Sequence, residues 1–322
     1  MTSMLLCNNF SISVVVTNHN YNIFLPEALS SIKKQLLQPI EVIVVDDASS
    51  QSCEEIVKSM GYIYIKTNYK NPLMARKKGF ESIKANHICF LDADDKLHPK
   101  YLSSAMMALT DNDIDIAYSD VQKFGQESNL TKFKTNIKPE KLWQTNFLHV
   151  GCVVSKEAII LSQAFECPNT LDYHEDWMFW RNIIKTGFKY KKHNIPYQSR
   201  IHDKNRSKSI NAGTYFKARA IKHASFEWCW HNITDETNKL ILYNKFSRQT
   251  TSDYIGFGYT KEQIPDPDDN KIWLALAEHM SSDIEIVYNK QSEKILFIGP
   301  ILRNLILRKQ DPQEWPMKVI II

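Results

Sequence analysis

Glycine is scarce in this chain, 9 of 322 residues, and none occurs before Gly61. That excludes a glycine-rich phosphate loop after the first strand, and with it a dinucleotide-binding Rossmann fingerprint or the loop of a sugar nucleotidyltransferase. The six cysteines (Cys7, Cys53, Cys89, Cys152, Cys167 and Cys229) include no C-x-x-C pair. Their scatter argues against a zinc site or a disulfide framework and suits a reducing compartment. No apolar run reaches the length of a transmembrane helix, and the N-terminal residues lack a basic segment followed by a long apolar one, so no secretory signal is expected. A cytoplasmic location is the default. Ile295–Leu307 is strongly apolar but too short to span a bilayer; it reads as core packing, with interfacial membrane contact as the alternative.

Charge of one sign is also limited. The net charge of +4 is too small to argue for nucleic acid. Its distribution is uneven: Lys185 to Lys222 holds eleven Lys/Arg against one acid, Asp203. That stretch reads either as a solvated basic face or as a collar for phosphate groups or anionic lipid.

Against these absences stands a regular alternation of strand and helix patterns. Ser11–Thr17 is a β-branched run, Asn22–Leu37 has helical spacing with Pro26 in its first turn, and Glu41–Val45 is a second strand. Ser52–Met60 reads as a helix, Tyr62–Lys66 as a strand, Pro72–Ala85 as a helix and His87–Leu91 as a fourth strand. Asp115–Tyr118 and Val150–Val154 are further strands, Glu175–Lys185 is a helix, and Tyr190–Arg200 reads as a strand pair around Pro196. The βαβα rhythm predicts an α/β fold with a mostly parallel sheet covered by helices. Residues 1–214 would form this domain and 215–322 a mainly helical extension, with helices at Tyr215–Trp230 and Ile272–Met280. Met317–Ile322 reads as a strand, pairing back onto a small C-terminal unit or leading into a further domain.

Carboxylates gather where the strands stop. Asp46-Asp47 follows the second strand, and Asp92-Ala-Asp94-Asp95 follows the fourth. Ligands of open α/β sheets bind at this edge. Clustered acids raise each other's pKa unless a cation joins them, and Mg²⁺ or Mn²⁺ prefers oxygen ligands and brings a phosphate with it. The plainer reading of Asp46-Asp47 is turn chemistry. For Asp95 it is an N-cap on the helix that follows Pro99. Glu175-Asp176 opens a helix, where acids also suit the dipole, and Trp177 is either core or a platform for a sugar face.

Taken with Ser13–Tyr21, Ser30–Gln35, Val42–Ser49, Ala75-Arg76, Phe90–Asp95, Glu175-Asp176-Trp177 and Arg200-Ile-His202, the chain resembles the family 2 glycosyltransferases of the GT-A fold. The segments follow the family's order over roughly residues 10–210. One departure is the loop Asn68–Leu73, which lacks the glycine common before the Ala-Arg pair. The resemblance implies an inverting transferase with a nucleotide-sugar donor, UDP-linked by preference, and a glycan or lipid-linked acceptor, as in polysaccharide biosynthesis at the inner face of a membrane. Thr17 and Asp47, or Asp46, would line the base. Arg76 would approach the nucleotide, Asp92 the ribose or a metal-bound water, and Arg200 the diphosphate. Asp94 and His202 would hold Mn²⁺ or Mg²⁺, with Lys204, Arg206 and Lys208 in a loop over the diphosphate. Asp176 would be the base, with Glu175 orienting it or the acceptor. An exposed Asp is a feeble base, so its strength would come from position.

Two other classes compete. Haloacid-dehalogenase-type phosphatases also place Asp-x-Asp after an apolar strand, but usually the first strand, and with Thr or Val where Lys96 stands here. A glycan-binding module could keep the fold without the chemistry. The loops Phe124–Pro139 and Phe165–His174 would set donor and acceptor identity.

Overall fold

The computed structural model describes residues 11–111, 113–139, 146–166 and 175–205, and the backbone of three strands nearer the C terminus. The chain divides into two compact units. One comprises Met1–Lys138, Phe147–Glu166 and Glu175–Lys208; the other comprises Pro139–Asn146, Cys167–His174 and Ser209–Ile322.

The first unit is built on β1 (Ile12–Asn18), β2 (Glu41–Asp47), β3 (Ile63–Thr67), β4 (His87–Asp92), β5 (Ile116–Tyr118), β8 (Val153–Ser155) and β9 (Tyr190–Lys192). They form one sheet in the order β3-β2-β1-β4-β8-β5-β9. Its first four strands are parallel, β8 runs antiparallel to both neighbours, and β9 is parallel to β5. The mostly parallel α/β sheet expected from the sequence is thus present. Val14, Val15 and Val16 on β1 are all fully buried, so both faces of this central strand are covered, as parallel sheets require.

Helices α1 (Leu25–Lys33), α2 (Glu54–Ser59), α3 (Pro72–Phe80), α4 (Tyr101–Ala108), α5 (Lys156–Leu161) and α6 (Glu175–Lys185) complete the described part of this unit. α3 lies so close to the sheet that a Cβ on Gly79 would stand 2.3 Å from Val15 Cγ1. α1 is shorter than the expected Asn22–Leu37: Ile23 and Leu36 fit the helical period but lie outside the helix and are exposed.

A second sheet holds β6 (Val121–Gly125) between β7 (Leu130–Thr131) and β10 (Tyr197–Ile201). The segments flanking Pro196 are therefore not a pair. β9 joins the large sheet and β10 the small one, because β10 turns away to run parallel with β6.

In the second unit, β11 (Glu285–Asn289) pairs antiparallel with β12 (Lys294–Ile298) and with β13 (Met317–Ile320). The expected strand at the C-terminal end is present, and it pairs back onto its own unit. The described part of the expected helical extension is β-structure. The helices expected at Tyr215–Trp230 and Ile272–Met280 lie outside the described residues.

Candidate active site

Register brings the acids to one edge. Thr17 stands beside Val45 and Asp92, and Asn18 beside Asp46, so the carboxyl ends of β1, β2 and β4 are level. At the β2 end the two acids are tied to neighbouring strands and loops. Asp46, 2% exposed, accepts from Asn18 Nδ2 at 2.9 Å, Tyr64 OH at 3.1 Å and Cys53 N at 3.4 Å. Asp47 accepts from Thr67 Oγ1 and Asn71 N, both at 2.9 Å, and from Tyr69 N at 2.6 Å. Cys53 apart, these donors lie 18 to 28 residues away on β1, β3 and the loop before α3, so the two acids cross-link separate elements rather than closing their own turn.

The grip of Asp47 reaches the next helix. Asn71, held by Asp47, caps α3 by accepting from Leu73 N and Met74 N, with Pro72 in the first turn. The glycine missing from this loop has a conformational substitute, since Lys70 takes φ +54°. α3 then delivers Arg76 into the site. Its Nη2 donates to Asp92 Oδ1 at 2.9 Å, and its Nη1 lies 3.7 Å from Glu175 Oε1. Burial works against its charge, but Asp92, Glu175 and Asp176 outweigh that and hold its pKa above the ordinary value. Asp92 Oδ1 also accepts from Thr17 Oγ1 at 3.0 Å. Arg76 therefore links the acid at the end of β4 to the acids that open α6.

Asp176 is partly buried and lines a small cleft with Arg76, Leu73, Phe90, Val150 and Trp180. Burial, and next Glu175, push its carboxyl up to about 6, against the pull of Arg76. It is not the exposed, weak base that the sequence suggests. Trp177 is 4% exposed and belongs to the core, not to a sugar platform.

Asp94 meets the residues that follow β10. Its Oδ2 is 3.0 Å from His202 Nε2 and accepts from Asn205 Nδ2 at 3.3 Å. Burial, then Asp92, raise its pKa. A carboxylate oxygen and an imidazole nitrogen are donors that Mn²⁺ or Mg²⁺ accepts, and Asp94 and His202 bring one of each together. Among the described residues no group of three or more His, Cys, Asp or Glu could hold a metal. Any ion held here would have to draw its remaining ligands from outside this pair.

Arg200 is more heavily engaged than expected. Its Nε donates to the Asp94 carbonyl at 2.8 Å, its Nη2 pairs with Glu27, and its guanidinium lies 4.8 Å from the Phe24 ring centroid and 4.4 Å from that of Phe124. Three lysines of the basic stretch are likewise paired: Lys189 and Lys191 meet Asp113 and Asp111 on an exposed face, and Lys192, largely buried, meets Asp120. Arg206 and Lys208 lie outside the described residues. Asp95 does not cap α4: its oxygens accept from Tyr197 OH and Arg200 N. Sequence reasoning missed Glu27, Tyr21 and Asn205. Tyr21 packs edge-on to His202, and its hydroxyl donates to the Lys204 carbonyl at 2.7 Å. Asn205, three residues past His202, carried the only local signal.

Acids and cations gather at one edge of a mostly parallel sheet, with a second acid pair joined to them through Arg76, on a GT-A-type fold. Residues 13–168 match the family model described as Glycosyl transferase family 2. The chain is 24% identical over 209 residues to an uncharacterized glycosyltransferase of Rickettsia typhi, covering 60% of this chain and 64% of that protein. It is 27% identical over 127 residues to glycosyltransferase GlyA of Streptococcus pneumoniae, covering 38% of this chain and 18% of that protein. These matches span less than two thirds of either relative. Among solved structures, TarS of S. aureus in complex with UDP-GlcNAc superposes with a TM-score of 0.61 at 16% identity, covering 83% of this chain and 80% of that one. Over residues 13–168 the chain is thus similar to the family 2 glycosyltransferases, on a GT-A fold. Among the described residues no helix is long and apolar enough to cross a membrane.

Proposed function

We propose that the protein is an inverting glycosyltransferase that moves a sugar from a UDP-linked donor to a hydroxyl of a glycan or lipid-linked acceptor. The observation that carries this reading is the chain of contacts Thr17–Asp92–Arg76–Glu175. It joins the nucleotide-side edge of the sheet to Asp176, the acid whose pKa is raised to about 6. The similarity to TarS, which has been crystallised with UDP and with UDP-GlcNAc, supports a uridine nucleotide as the donor group.

Thr17 and Asp47 line the base: beside its bond to Asn71 N, Asp47 Oδ2 has room to accept a ring N–H, for which a carboxylate is a strong acceptor; Asp46 is the alternative. Asp92, oriented by Arg76, holds the ribose. Asp94 and His202 would hold Mn²⁺ or Mg²⁺, which supplies charge neutralisation for the departing diphosphate. Arg200 fixes the Asp94 carbonyl. Asp176 in its ionised form takes the proton from the acceptor hydroxyl while that oxygen attacks the anomeric carbon. The bond to the nucleoside diphosphate breaks on the opposite face, and the leaving group keeps the electron pair. A single displacement inverts the configuration and needs no protein nucleophile. A base of pKa near 6 is well matched to such a task near neutral pH. Glu175 is placed to orient Asp176 through their shared neighbour Arg76.

The test is a thermal-shift series of nucleoside diphosphates with and without Mn²⁺, followed by a UDP-sugar hydrolysis assay. A metal-dependent rise with UDP that disappears in Asp94→Ala, together with loss of hydrolysis in that variant, supports the reading. Absence of any nucleotide response overturns it, and release of phosphate from simple phosphomonoesters would point to a phosphatase instead.

A further inference from the structure

We propose that Asp95 is a positioning residue that sets the separation of Asp94 and His202, with Tyr197 as its partner in that role. The inference rests on the reading of Asp94 and His202 as the metal pair. Those two residues come from different sheets: Asp94 follows β4 of the large sheet, and His202 follows β10 of the small one. Among the described residues no ladder joins β4 to β10. The backbone pairing there between the acidic turn and β10 is an isolated bridge, Lys96 with Gln198. One bridge does not fix a register as a run of paired residues does.

The Asp95 side chain supplies what the ladder does not. It is 6% exposed, and its two oxygens reach different points on β10: Oδ2 accepts from Tyr197 OH and Oδ1 from Arg200 N, both at 2.7 Å. The second bond lies two residues before His202. Arg200 Nε returns the contact by donating to the Asp94 carbonyl at 2.8 Å, and Lys96 N donates to Gln198 O at 3.1 Å.

The anchor at the other end is rigid. Tyr197 is 1% exposed and its ring stacks on His149 with centroids 4.7 Å apart. A Cβ on Gly151 would fall 2.2 Å from the same ring, so only glycine leaves room for it. With both oxygens engaged by β10, Asp95 is set apart from its neighbour. Asp94 presents its carboxylate to His202, and Asp95 holds the strand that brings His202 there. Groups that orient metal ligands typically carry 10- to 100-fold of the metal affinity.

The test measures Mn²⁺ affinity by calorimetry in the presence of UDP, and UDP affinity in EDTA, for the wild type, Asp95→Asn and Tyr197→Phe. Asp95→Asn is expected to weaken Mn²⁺ binding about 10-fold or more, with UDP affinity in EDTA held within about two-fold. Tyr197→Phe keeps every charge and removes one bond, so a smaller loss in the same direction separates positioning from the mere removal of a negative charge. Tyr197→Phe binding Mn²⁺ as the wild type does would overturn the inference, as would equal loss of Mn²⁺ and metal-free UDP binding. If Asp95→Asn does not fold, Tyr197→Phe decides alone. A wild type that binds UDP but no Mn²⁺ would sink the metal reading itself, and this inference with it. A wild type that binds both, beside variants that match it, would sink only the inference.

Discussion

Asp46 and Asp47 at the end of β2 accept from backbone amides and neutral side chains, whereas Asp92 and Asp94 at the end of β4 are met by the side chains of Arg76 and His202. Both pairs occupy the same edge of the same sheet. The first kind of partner is neutral and ties the acid to the strands and loops beside it. The second is cationic or titratable and can be shared with an incoming phosphate or ion. Position at a sheet edge thus does not by itself say what an acid can do; the nature of its partners says more. Asp176 belongs with the second kind, because Arg76 opposes the rise that burial and Glu175 impose on it.

Exchanging one acid of each kind should produce opposite losses. Asp176→Asn should lower kcat by about 10²–10⁴, measured as transfer or hydrolysis of a UDP-sugar. The same variant should be more stable than the wild type near neutral pH. A carboxyl raised to about 6 in the folded state contributes stability that is fully present below its unfolded value, about 4, and is lost as pH rises through about 6. The Asn variant has no such loss, so urea midpoints should diverge above about pH 6 and converge below about pH 4. An Asp176→Asn protein that keeps full activity would remove Asp176 from the chemistry. Asp46→Ala should do the reverse. It leaves Cys53 N and one amide hydrogen of Asn18, both buried, without their acceptor, while Tyr64 OH keeps Ser52 Oγ and Asn18 keeps Asn22 Oδ1, at a cost of about 2 kcal/mol in urea unfolding. A cost below about 1 kcal/mol would show that water replaces the carboxylate there.

The strands were legible because β-branched runs such as Val14–Val16 are buried on both faces, and their ends marked where acids would collect. Helix limits were less so: Ile23 and Leu36 satisfy the period of α1 but face solvent beyond its ends. In the site, single acids could be named but their duties could not. The partners of Asp95 lie 102 and 105 residues away, and His202 lies 108 from Asp94; no local spacing encodes such contacts. Burial of Trp177 and the raised pKa of Asp176 likewise depend on which face of α6 meets the core. The family order carried Asp94, His202 and Asp176 into one set where periodicity alone would not.

The link between the two regions is Arg76, and removing it should sharpen the contrast. In Arg76→Met the group that holds Asp176 down is gone, while burial and Glu175 remain. The acid limb of kcat/KM should therefore move upward from about 6, and activity at lower pH should fall more than activity at higher pH. An unmoved limb would mean that the titrating group is not Asp176.

The smallest effect is expected on the structural side, at Ala48. It follows the Asp46–Asp47 pair with φ +54°, a left-handed conformation that a Cβ disfavours, and its N–H donates to the Thr67 carbonyl at 2.9 Å. Left-handed backbone costs a non-glycine residue about 1–2 kcal/mol, and the greater freedom of glycine in the unfolded chain offsets part of any gain. Ala48→Gly should then raise stability by up to about 1 kcal/mol, seen as a higher urea midpoint at unchanged slope. UDP affinity should not change, because Asp47 keeps its bonds to Thr67, Tyr69 and Asn71. If the variant were less stable, the strain assigned to this turn would be wrong, and Ala48 would have to be stabilising the turn through its side chain.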